Sequence, residues 1–239
     1  MKVLLIHPAD ARESIAPGRF EPLGLETLAA TIPDHEVQII DLRIDRLKKL
    51  DRFIQEQDPE VIGMSVNNTI HVMTAMKTLK HIRQINKKAR VVVGGHHVTM
   101  SPMDFRTPDV DAIFYGWAEK SFPAYISALS NGCNFRDVHG IELLHDGKTL
   151  FKSENKWDMQ PSEVPPPRRD LVSRYQGKYR SDTGHITSLV NTSRGCPNRC
   201  SFCCVWKATQ GKFFLRDPED VFHEIASLPE NISYVFFCR

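Results

Sequence analysis

Four of the chain's six cysteines lie within nine residues, in the stretch CPNRCSFCC at positions 196–204. Cys196, Cys200 and Cys203 have the spacing Cys-x3-Cys-x2-Cys. Three thiolates on one loop can bind three irons of a four-iron, four-sulfur cluster and leave the fourth iron open to another ligand. Phe202 stands between the second and third of these cysteines, so we expect its ring to lie against whatever binds the open iron. The spacing therefore predicts an iron–sulfur site.

A structural zinc site is the alternative interpretation of the same loop. Structural zinc takes four ligands, usually in two paired groups. Cys204, His185 or Cys238 could supply the fourth ligand, but Cys203 and Cys204 are adjacent, and adjacent side chains point in opposed directions along most backbones. The spacing favours the cluster, and the role of Cys204 stays open.

The overall composition narrows the class of protein. The 239 residues carry 31 basic and 29 acidic side chains, for a formal net charge of +2, which indicates no nucleic-acid partner. The N-terminal apolar run is too short for a signal peptide, and no stretch approaches the roughly 20 apolar residues of a membrane helix. Few, clustered cysteines do not suit a disulfide framework. We expect a soluble, cytoplasmic protein with no transmembrane segment.

Residues 1–130 alternate between strand and helix patterns, which predicts a doubly wound, Rossmann-like α/β domain with a parallel sheet. The predicted strands are short and β-branched and cover residues 3–6, 37–40, 61–66, 91–93 and 112–115. The predicted helices cover residues 22–31, 44–57, 69–86 and 119–129, with a short piece at 102–106. Ligands of such domains lie beyond the carboxyl ends of the strands.

The remaining residues divide into a connector and the start of a second domain. Residues 131–185 contain a hairpin pattern that turns at Asp146-Gly147 and a proline-rich stretch typical of an extended linker. Residues 186–239 read as a strand, the cysteine loop, a helix opened by Asp217-Pro218, and a further strand. A domain of that size is incomplete, so we expect the chain to be the front part of a larger protein.

Small residues also follow two neighbouring predicted strands. Ser65 and Asn67 end the third strand, and Gly94 and Gly95 end the fourth. A glycine pair alone is an ordinary turn, but small residues at two adjacent strand ends leave a slot at the edge of the sheet. His96 and His97 follow, and on extended backbone their side chains would project oppositely, so we expect at most one of them to face the slot.

These two patterns resemble those of a known family. The Cys-x3-Cys-x-aromatic-Cys loop resembles the signature of radical S-adenosylmethionine enzymes, and the spaced serine and Gly-Gly elements resemble those of cobalamin-binding domains. The resemblance implies a cobalamin-binding α/β domain followed by the first part of a (β/α) radical S-adenosylmethionine partial barrel. It also implies a 4Fe-4S cluster on Cys196, Cys200 and Cys203, S-adenosylmethionine with its adenine beside Phe202, and a cobalamin site. The residues implied for cobalamin are Gly24, Ser65, Asn67, Gly94, Gly95, His96 and Gly116.

The chain departs from the cobalamin pattern at one important position. Base-off cobalamin domains carry Asp-x-His-x-x-Gly, whose histidine ligates cobalt; here Gly24 matches, but Glu21 stands where the histidine would be. The sequence therefore does not supply a histidine lower ligand at this position. Gly116 and Glu119 match a family Gly-Glu-Gly-Glu loop, which implies a loop near the corrin and a helix that starts at Glu119.

The resemblance implies an enzyme that methylates an unactivated carbon of a small-molecule or lipid substrate, with flavodoxin or ferredoxin as reductant. The stretch at 200–207, CSFCCVWK, is similar to that of hopanoid-type lipid methylases. Three different functions stay open: a cobalamin-dependent radical cyclase or rearrangement enzyme, a non-catalytic cobalamin-binding module, and a zinc-stabilised nucleotide-binding protein.

Overall fold

The computed structural model describes residues 1–10, 18–155 and 160–238. The strands in this part of the chain are β1 (Lys2–His7), β2 (Gly18–Arg19), β3 (Glu36–Asp41), β4 (Val61–Ser65), β5 (Arg90–Gly94), β6 (Ala112–Phe114), β7 (Ile141–His145), β8 (Lys148–Lys152), β9 (Arg180–Ser181), β10 (Thr187–Asn191), β11 (Ser193–Gly195), β12 (Phe213–Leu215) and β13 (Tyr234–Cys238). The α-helices are α1 (Leu23–Ala30), α2 (Leu47–Gln57), α3 (Val72–Ile85), α4 (His96–Met100), α5 (Ser121–Asn131), α6 (Val205–Ala208) and α7 (Pro218–Ala226). Shorter 3-10 helices lie at Thr69–His71, Pro102–Phe105, Phe135–Asp137, Pro161–Glu163 and Arg169–Lys178.

A mostly parallel sheet forms the first unit, as the sequence predicts. Among the described residues its strand order is β3-β1-β4-β5-β6-β7-β8, and the first five strands are parallel. Counting only those five, the order is the 2-1-3-4-5 of flavodoxin-like sheets. Alternate residues of β1 face opposite layers: Leu4 packs with α2 and α3, and Leu5 packs with α1 and α5. Both faces are buried, which explains the continuous apolar runs.

The predicted hairpin forms and completes this sheet. β7 and β8 pair in antiparallel fashion around Asp146 and Gly147, which have φ values of 48° and 73°. Such left-handed pairs suit a two-residue hairpin turn. β7 also pairs with β6 in antiparallel fashion, so the hairpin belongs to the sheet of the first unit.

The helix starts differ from the sequence prediction in two places. α5 begins at Ser121 instead of Glu119, and the Glu119 carboxylate, which lies ahead of the helix, pairs with Arg194. His96 and His97 do not lie on extended backbone; they open α4. The reason is the turn at Gly95, whose φ of 111° redirects the chain, after which the His96 amide donates to Asn67 Oδ1 at 3.0 Å.

The segment after the hairpin packs onto the first unit. Residues 156–159, which include the first two residues of the predicted proline-rich linker, lie outside the described residues. Beyond them the 3-10 helix Arg169–Lys178 buries Val172 and Tyr175 in the layer that α1 and α5 cover. The buried apolar side chains make this part of the connector a docked segment instead of an extended tether.

The second unit begins with a parallel β-α-β arrangement. β10 pairs with β13 in parallel, and α7 lies between them in the chain and packs on β10. Asp217 caps α7 as the sequence predicts, since its side chain accepts from the Glu219 amide at 2.8 Å. β11 and β12, on either side of the cysteine loop, pair in antiparallel fashion. None of the helices in the described part of the chain has the length and apolar character needed to cross a bilayer.

A buried ionic network joins the two units. The Arg169 guanidinium pairs with Glu21, which precedes α1, and with Glu224 on α7 at 2.5 Å. Glu21 Oε1 also accepts from Ser188 Oγ at 2.6 Å and from the Leu189 amide at 2.7 Å, both on β10. Glu21, at the family's histidine position, is therefore used at the junction between the units.

Glu26 is a second carboxyl in this network, and it is fully buried. Within the described residues neither of its oxygens has a hydrogen-bond partner, although Arg169 lies 3.7 Å away. Burial raises the pKa of Glu26 well above its ordinary value, and the charge of Glu21 raises it further against the opposing effect of Arg169. Burial thus favours the neutral form of the Glu26 carboxyl, while Glu21 and Glu224 pair with the cations.

We predict opposite effects for two substitutions at this junction. Because the folded-state pKa of Glu26 lies above the unfolded one, the wild type loses stability as pH rises from the unfolded toward the folded value. Glu26→Gln does not titrate, so its free energy of unfolding should equal or exceed that of the wild type at pH 8, with a smaller difference at pH 5. Arg169→Met should cost about 3–5 kcal/mol, because it leaves the buried Glu21 carboxylate without its cation, while Glu224 keeps only Arg216.

Urea unfolding of both variants and the wild type at pH 5 and pH 8 measures these effects. A loss of several kcal/mol of unfolding free energy in Glu26→Gln at pH 8 would contradict a neutral Glu26 carboxyl. It would show that Arg169 requires the negative charge of Glu26.

Candidate functional site

A cavity of about 350 Å³ opens between the two units, toward the carboxyl ends of the parallel strands. This volume lies within the roughly 300–1,000 Å³ typical of small-molecule sites. The first unit lines it with the ends of β4 and β5, the start of α1 and the loop after β6. The second unit lines it with residues on either side of the cysteine loop. All the residues predicted to lie near cobalamin line this one cavity: Gly24, Ser65, Asn67, Gly94, Gly95, His96 and Gly116.

Asn67 connects the ends of two strands at the cavity. Its Nδ2 donates to Ser65 Oγ at 3.3 Å after β4, and its Oδ1 accepts from the His96 amide after β5. The sequence predicts these two strand ends to be neighbours, and the Asn67 side chain connects them by hydrogen bonds. This fixes the shape of the slot between them.

Glycine occurs at these cavity positions for different physical reasons. A Cβ on Gly95 would lie 2.6 Å from the Val66 carbonyl oxygen, and the φ of 111° is itself unfavourable for other residues. A Cβ on Gly94 would touch Phe114 Cβ at 3.4 Å. At Gly24, no described atom lies within 4 Å of the added Cβ. Gly95 is required by the backbone, whereas Gly24 leaves open space in the cavity.

A hydrogen bond connects the loop after β6 with α4. The Gly116 amide donates to Thr99 Oγ1 at 2.8 Å, and Thr99 Oγ1 donates to the Gly95 carbonyl at 3.0 Å. Thr99 lines the cavity too, and the sequence analysis did not identify it. Its position one helical turn after Gly95 is the signal that could have found it.

Arg194 is the main site residue that the sequence analysis missed. Its guanidinium pairs with Glu119 at 2.5 Å, and the two side chains are 12% and 9% exposed. It also lies over the Trp117 ring at 5.6 Å, and Trp117 contacts Phe214 edge-on at 5.7 Å. These contacts attach the start of the cysteine loop to the loop after β6. The only sequence signal was its place directly before Gly195, where the cysteine loop begins.

The cysteine loop leaves the cavity at Gly195 and returns at Val205, and both residues line the cavity. Gly195 has a φ of 81°, and a Cβ there would lie 2.1 Å from the Lys212 carbonyl oxygen. Within the loop, the Cys200 carbonyl accepts from the Cys203 amide at 3.1 Å and from Trp206 Nε1 at 3.0 Å. The three predicted ligand cysteines are thus carried at the edge of the cavity.

The donor set of this loop fits an iron–sulfur cluster. Cys196 and Cys203 are half-buried, Cys200 is exposed, and all three are free thiols. In the described ranges, no three His, Cys, Asp or Glu side chains converge on a point that a single metal ion could occupy. A four-iron cluster makes a different demand, because each cysteine binds a different iron. Phe202 is 91% exposed and does not line the cavity.

Each residue considered as a fourth zinc ligand has another contact. Cys204 Sγ lies 3.0 Å from His96 Nε2, and Cys238 Sγ donates to Asn191 Oδ1 at 2.8 Å. Burial raises the pKa of the Cys238 thiol to about 11, so it is protonated at neutral pH. The ring of His185 packs against Tyr234 at 6.0 Å. Burial, followed by the neighbouring His97, lowers the pKa of His96, which favours a neutral imidazole beside Cys204.

Comparison with known families identifies the first unit. The family model described as the B12 binding domain matches residues 15–126. The chain carries a B12-binding domain. The predicted slot at Ser65 and Gly94 lies within the matched residues.

Two curated proteins are similar to most of the chain. An uncharacterized methyltransferase of Pyrococcus horikoshii is 33% identical over 210 residues, which cover 85% of this chain and 45% of the relative. The hopanoid C-3 methylase of Methylococcus capsulatus is 25% identical over 236 residues, which cover 96% of this chain and 44% of the relative. The chain therefore spans a little under half the length of these relatives.

A solved structure shares the fold. The radical S-adenosylmethionine methyltransferase TsrM from Kitasatospora setae, with cobalamin and a 4Fe-4S cluster bound, matches with a TM-score of 0.73 at 21% identity. The match covers 95% of this chain and 45% of that one. The B12-binding domain and these relatives confirm the resemblance to cobalamin-dependent radical S-adenosylmethionine enzymes and the predicted α/β fold.

We predict that two glycines of the B12-binding domain respond oppositely to alanine. Gly95→Ala should destabilise by about 2 kcal/mol or more, because it combines an unfavourable φ with a clash against backbone. Gly24→Ala adds a methyl group in open space on α1 and should be neutral or stabilising by up to about 1 kcal/mol. Urea unfolding at pH 7 measures both, and equal destabilisation would contradict the geometry.

Proposed function

We propose that the chain is the cobalamin- and cluster-binding part of a radical S-adenosylmethionine methyltransferase that methylates an unactivated carbon of a small-molecule or lipid substrate. One observation carries the proposal: the predicted cobalamin contacts and both ends of the three-cysteine loop line the same cavity. Two cofactors that must act on one substrate need to face each other across a shared space.

The B12-binding domain would hold cobalamin at two kinds of surface. Apolar walls from α1 and the sheet, including Leu25, Val92 and Phe114, line the cavity between Gly24 and Gly94. Polar groups at Ser65 and Asn67 lie at the strand ends. Ser65, Asn67 and Gly94 would hold the nucleotide tail of cobalamin in this slot. The apolar walls would exclude water from the reacting groups.

Cys196, Cys200 and Cys203 would hold a 4Fe-4S cluster, and Phe202 would cover the adenine of S-adenosylmethionine on the open iron. Together the bound cofactors supply a carbon radical and a methyl group. The residues of the chain orient the two sites: Gly195 sets the entry of the cysteine loop, and the pair of Arg194 with Glu119 attaches it to the B12-binding domain.

Glu21 is not proposed as a ligand of cobalt. Its carboxylate accepts from Ser188 and the Leu189 amide and pairs with Arg169 at the junction, and it does not line the cavity. Moving it toward a cofactor would leave the Arg169 cation with one fewer buried partner, which is costly. Position 21 therefore supplies neither the histidine of base-off cobalamin domains nor a carboxylate in its place.

We predict that a larger side chain at Gly24 blocks the cobalamin site without unfolding the protein. Gly24→Leu places its side chain in the open part of the cavity, so hydroxocobalamin should bind at least about 10-fold more weakly while the free energy of unfolding changes by less than about 1 kcal/mol. Gly24→Ala is the matched control. Visible absorption titration with hydroxocobalamin measures the affinity, and unchanged binding in Gly24→Leu would place cobalamin elsewhere.

We predict about four irons and one cobalt per chain in protein purified anaerobically from cobalamin-supplied cells. Cys196→Ala should lose most of the iron, because one of three thiolate ligands is gone, but keep the cobalt. Cys133→Ala is the control, since Cys133 is an exposed cysteine outside the loop. Plasma mass spectrometry for iron, cobalt and zinc measures the content. Iron without cobalt would overturn the cobalamin assignment, and zinc alone would favour a structural metal site.

The same preparation distinguishes a methyltransferase from two further classes of cobalamin protein. A non-catalytic cobalamin-binding module would bind cobalt without reductive cleavage of S-adenosylmethionine. A radical cyclase or rearrangement enzyme would cleave S-adenosylmethionine and yield a product without an added methyl group. A flavodoxin or ferredoxin of the cytoplasm is the proposed reductant.

A further inference from the structure

Cys204 is the one cysteine of the loop region that the proposed cluster does not use. It is exposed, and its Sγ lies 3.0 Å from His96 Nε2. The two residues are 108 positions apart in the chain. This contact therefore connects the cysteine loop with the B12-binding domain.

Both partners are anchored in local structure. His96 is the first residue of α4, and its amide is bonded to Asn67 Oδ1. Cys204 directly precedes α6, and its carbonyl accepts from the Ala208 amide at 2.9 Å. Each of the two residues lies at the start of a helix whose backbone there is hydrogen-bonded. The contact therefore joins two ordered helix ends instead of two mobile loops.

The other end of the cysteine loop is attached to the same domain. Arg194 lies directly before Gly195 and pairs with Glu119, which follows β6. Residues 196–203 are therefore held between an ion pair at one end and the His96–Cys204 contact at the other. The positions of the three ligand thiols relative to the cavity depend on both attachments.

We propose that Cys204 is a positioning residue whose thiol, bonded to His96, holds the cysteine loop against the B12-binding domain. Cys204 is then not a ligand of the metal centre. This inference rests on the proposed function, which makes the loop a cluster-binding loop. The contact of Cys204 with His96 itself exists without any cofactor. Turning Cys204 toward the other three thiols would break its bond to His96.

Limited digestion with trypsin tests the attachment in protein without cofactors. Arg199 is exposed within the loop, so cleavage after it reports how often the loop opens. A hydrogen bond contributes about 0.5–1.5 kcal/mol, so Cys204→Ala should be cleaved there roughly 2- to 10-fold faster than the wild type. Cys204→Ser retains a hydroxyl that can bond to His96 and should restore much of the protection. Cys133→Ala should cleave like the wild type.

A double-mutant cycle with His96→Ala separates this contact from general loosening of the loop. If the two side chains protect the loop only through their contact with each other, the double variant should be cleaved no faster than the single variant that is cleaved faster. Additive effects of the two substitutions, or no faster cleavage in Cys204→Ala, would overturn the proposal.

The iron content of Cys204→Ala decides whether Cys204 is a ligand. A positioning residue leaves the iron per chain at the wild-type value after anaerobic reconstitution, whereas loss of iron comparable to that in Cys196→Ala would make Cys204 a ligand and overturn the proposal. If the wild-type chain itself binds no iron or cobalt, the proposed function fails, and the digestion of the cofactor-free protein still decides the role of Cys204.

Discussion

The half-buried Arg169 guanidinium is the centre of the ionic network that joins the two units of this chain. Arg169 pairs with Glu21 ahead of α1 and with Glu224 on α7, and it donates to the Leu189 carbonyl of β10 at 2.7 Å. Arg216 supplies a second cation to Glu224, so two cations face two carboxylates. Removing one member would leave a buried charge without compensation, which costs far more than an exposed ion pair contributes. The relative placement of the units depends on this network.

The cavity follows from that placement. Its walls come from α1 and the sheet on one side and from the residues around the cysteine loop on the other, so neither unit encloses it alone. The pair of Arg194 with Glu119 and the contact of Cys204 with His96 attach both ends of the loop to the B12-binding domain. A site for one cofactor and a loop for another thereby share one space, which is the condition for joint chemistry on a substrate.

The backbone at the strand ends sets the shape of the slot. Gly95 turns the chain with a φ of 111°, and Asn67 bonds across from β4 to the first amide of α4. Thr99 then connects this helix with Gly116 in the loop after β6. Since these are backbone bonds or bonds to backbone, the slot is fixed before any ligand enters, and binding need not organise it.

The sequence by itself determined the elements and the local chemistry. Buried apolar runs predicted the parallel strands, Asp146-Gly147 predicted the hairpin turn, and the cysteine spacing and the small residues after β4 and β5 predicted two sites, because each of these signals is local in the chain. Only the tertiary structure decided that Glu21 serves the junction, that His96 opens a helix, and that Arg194 and Cys204 attach the loop. Those roles depend on partners 29 to 168 residues away, and periodicity and spacing carry no information about such distant pairs.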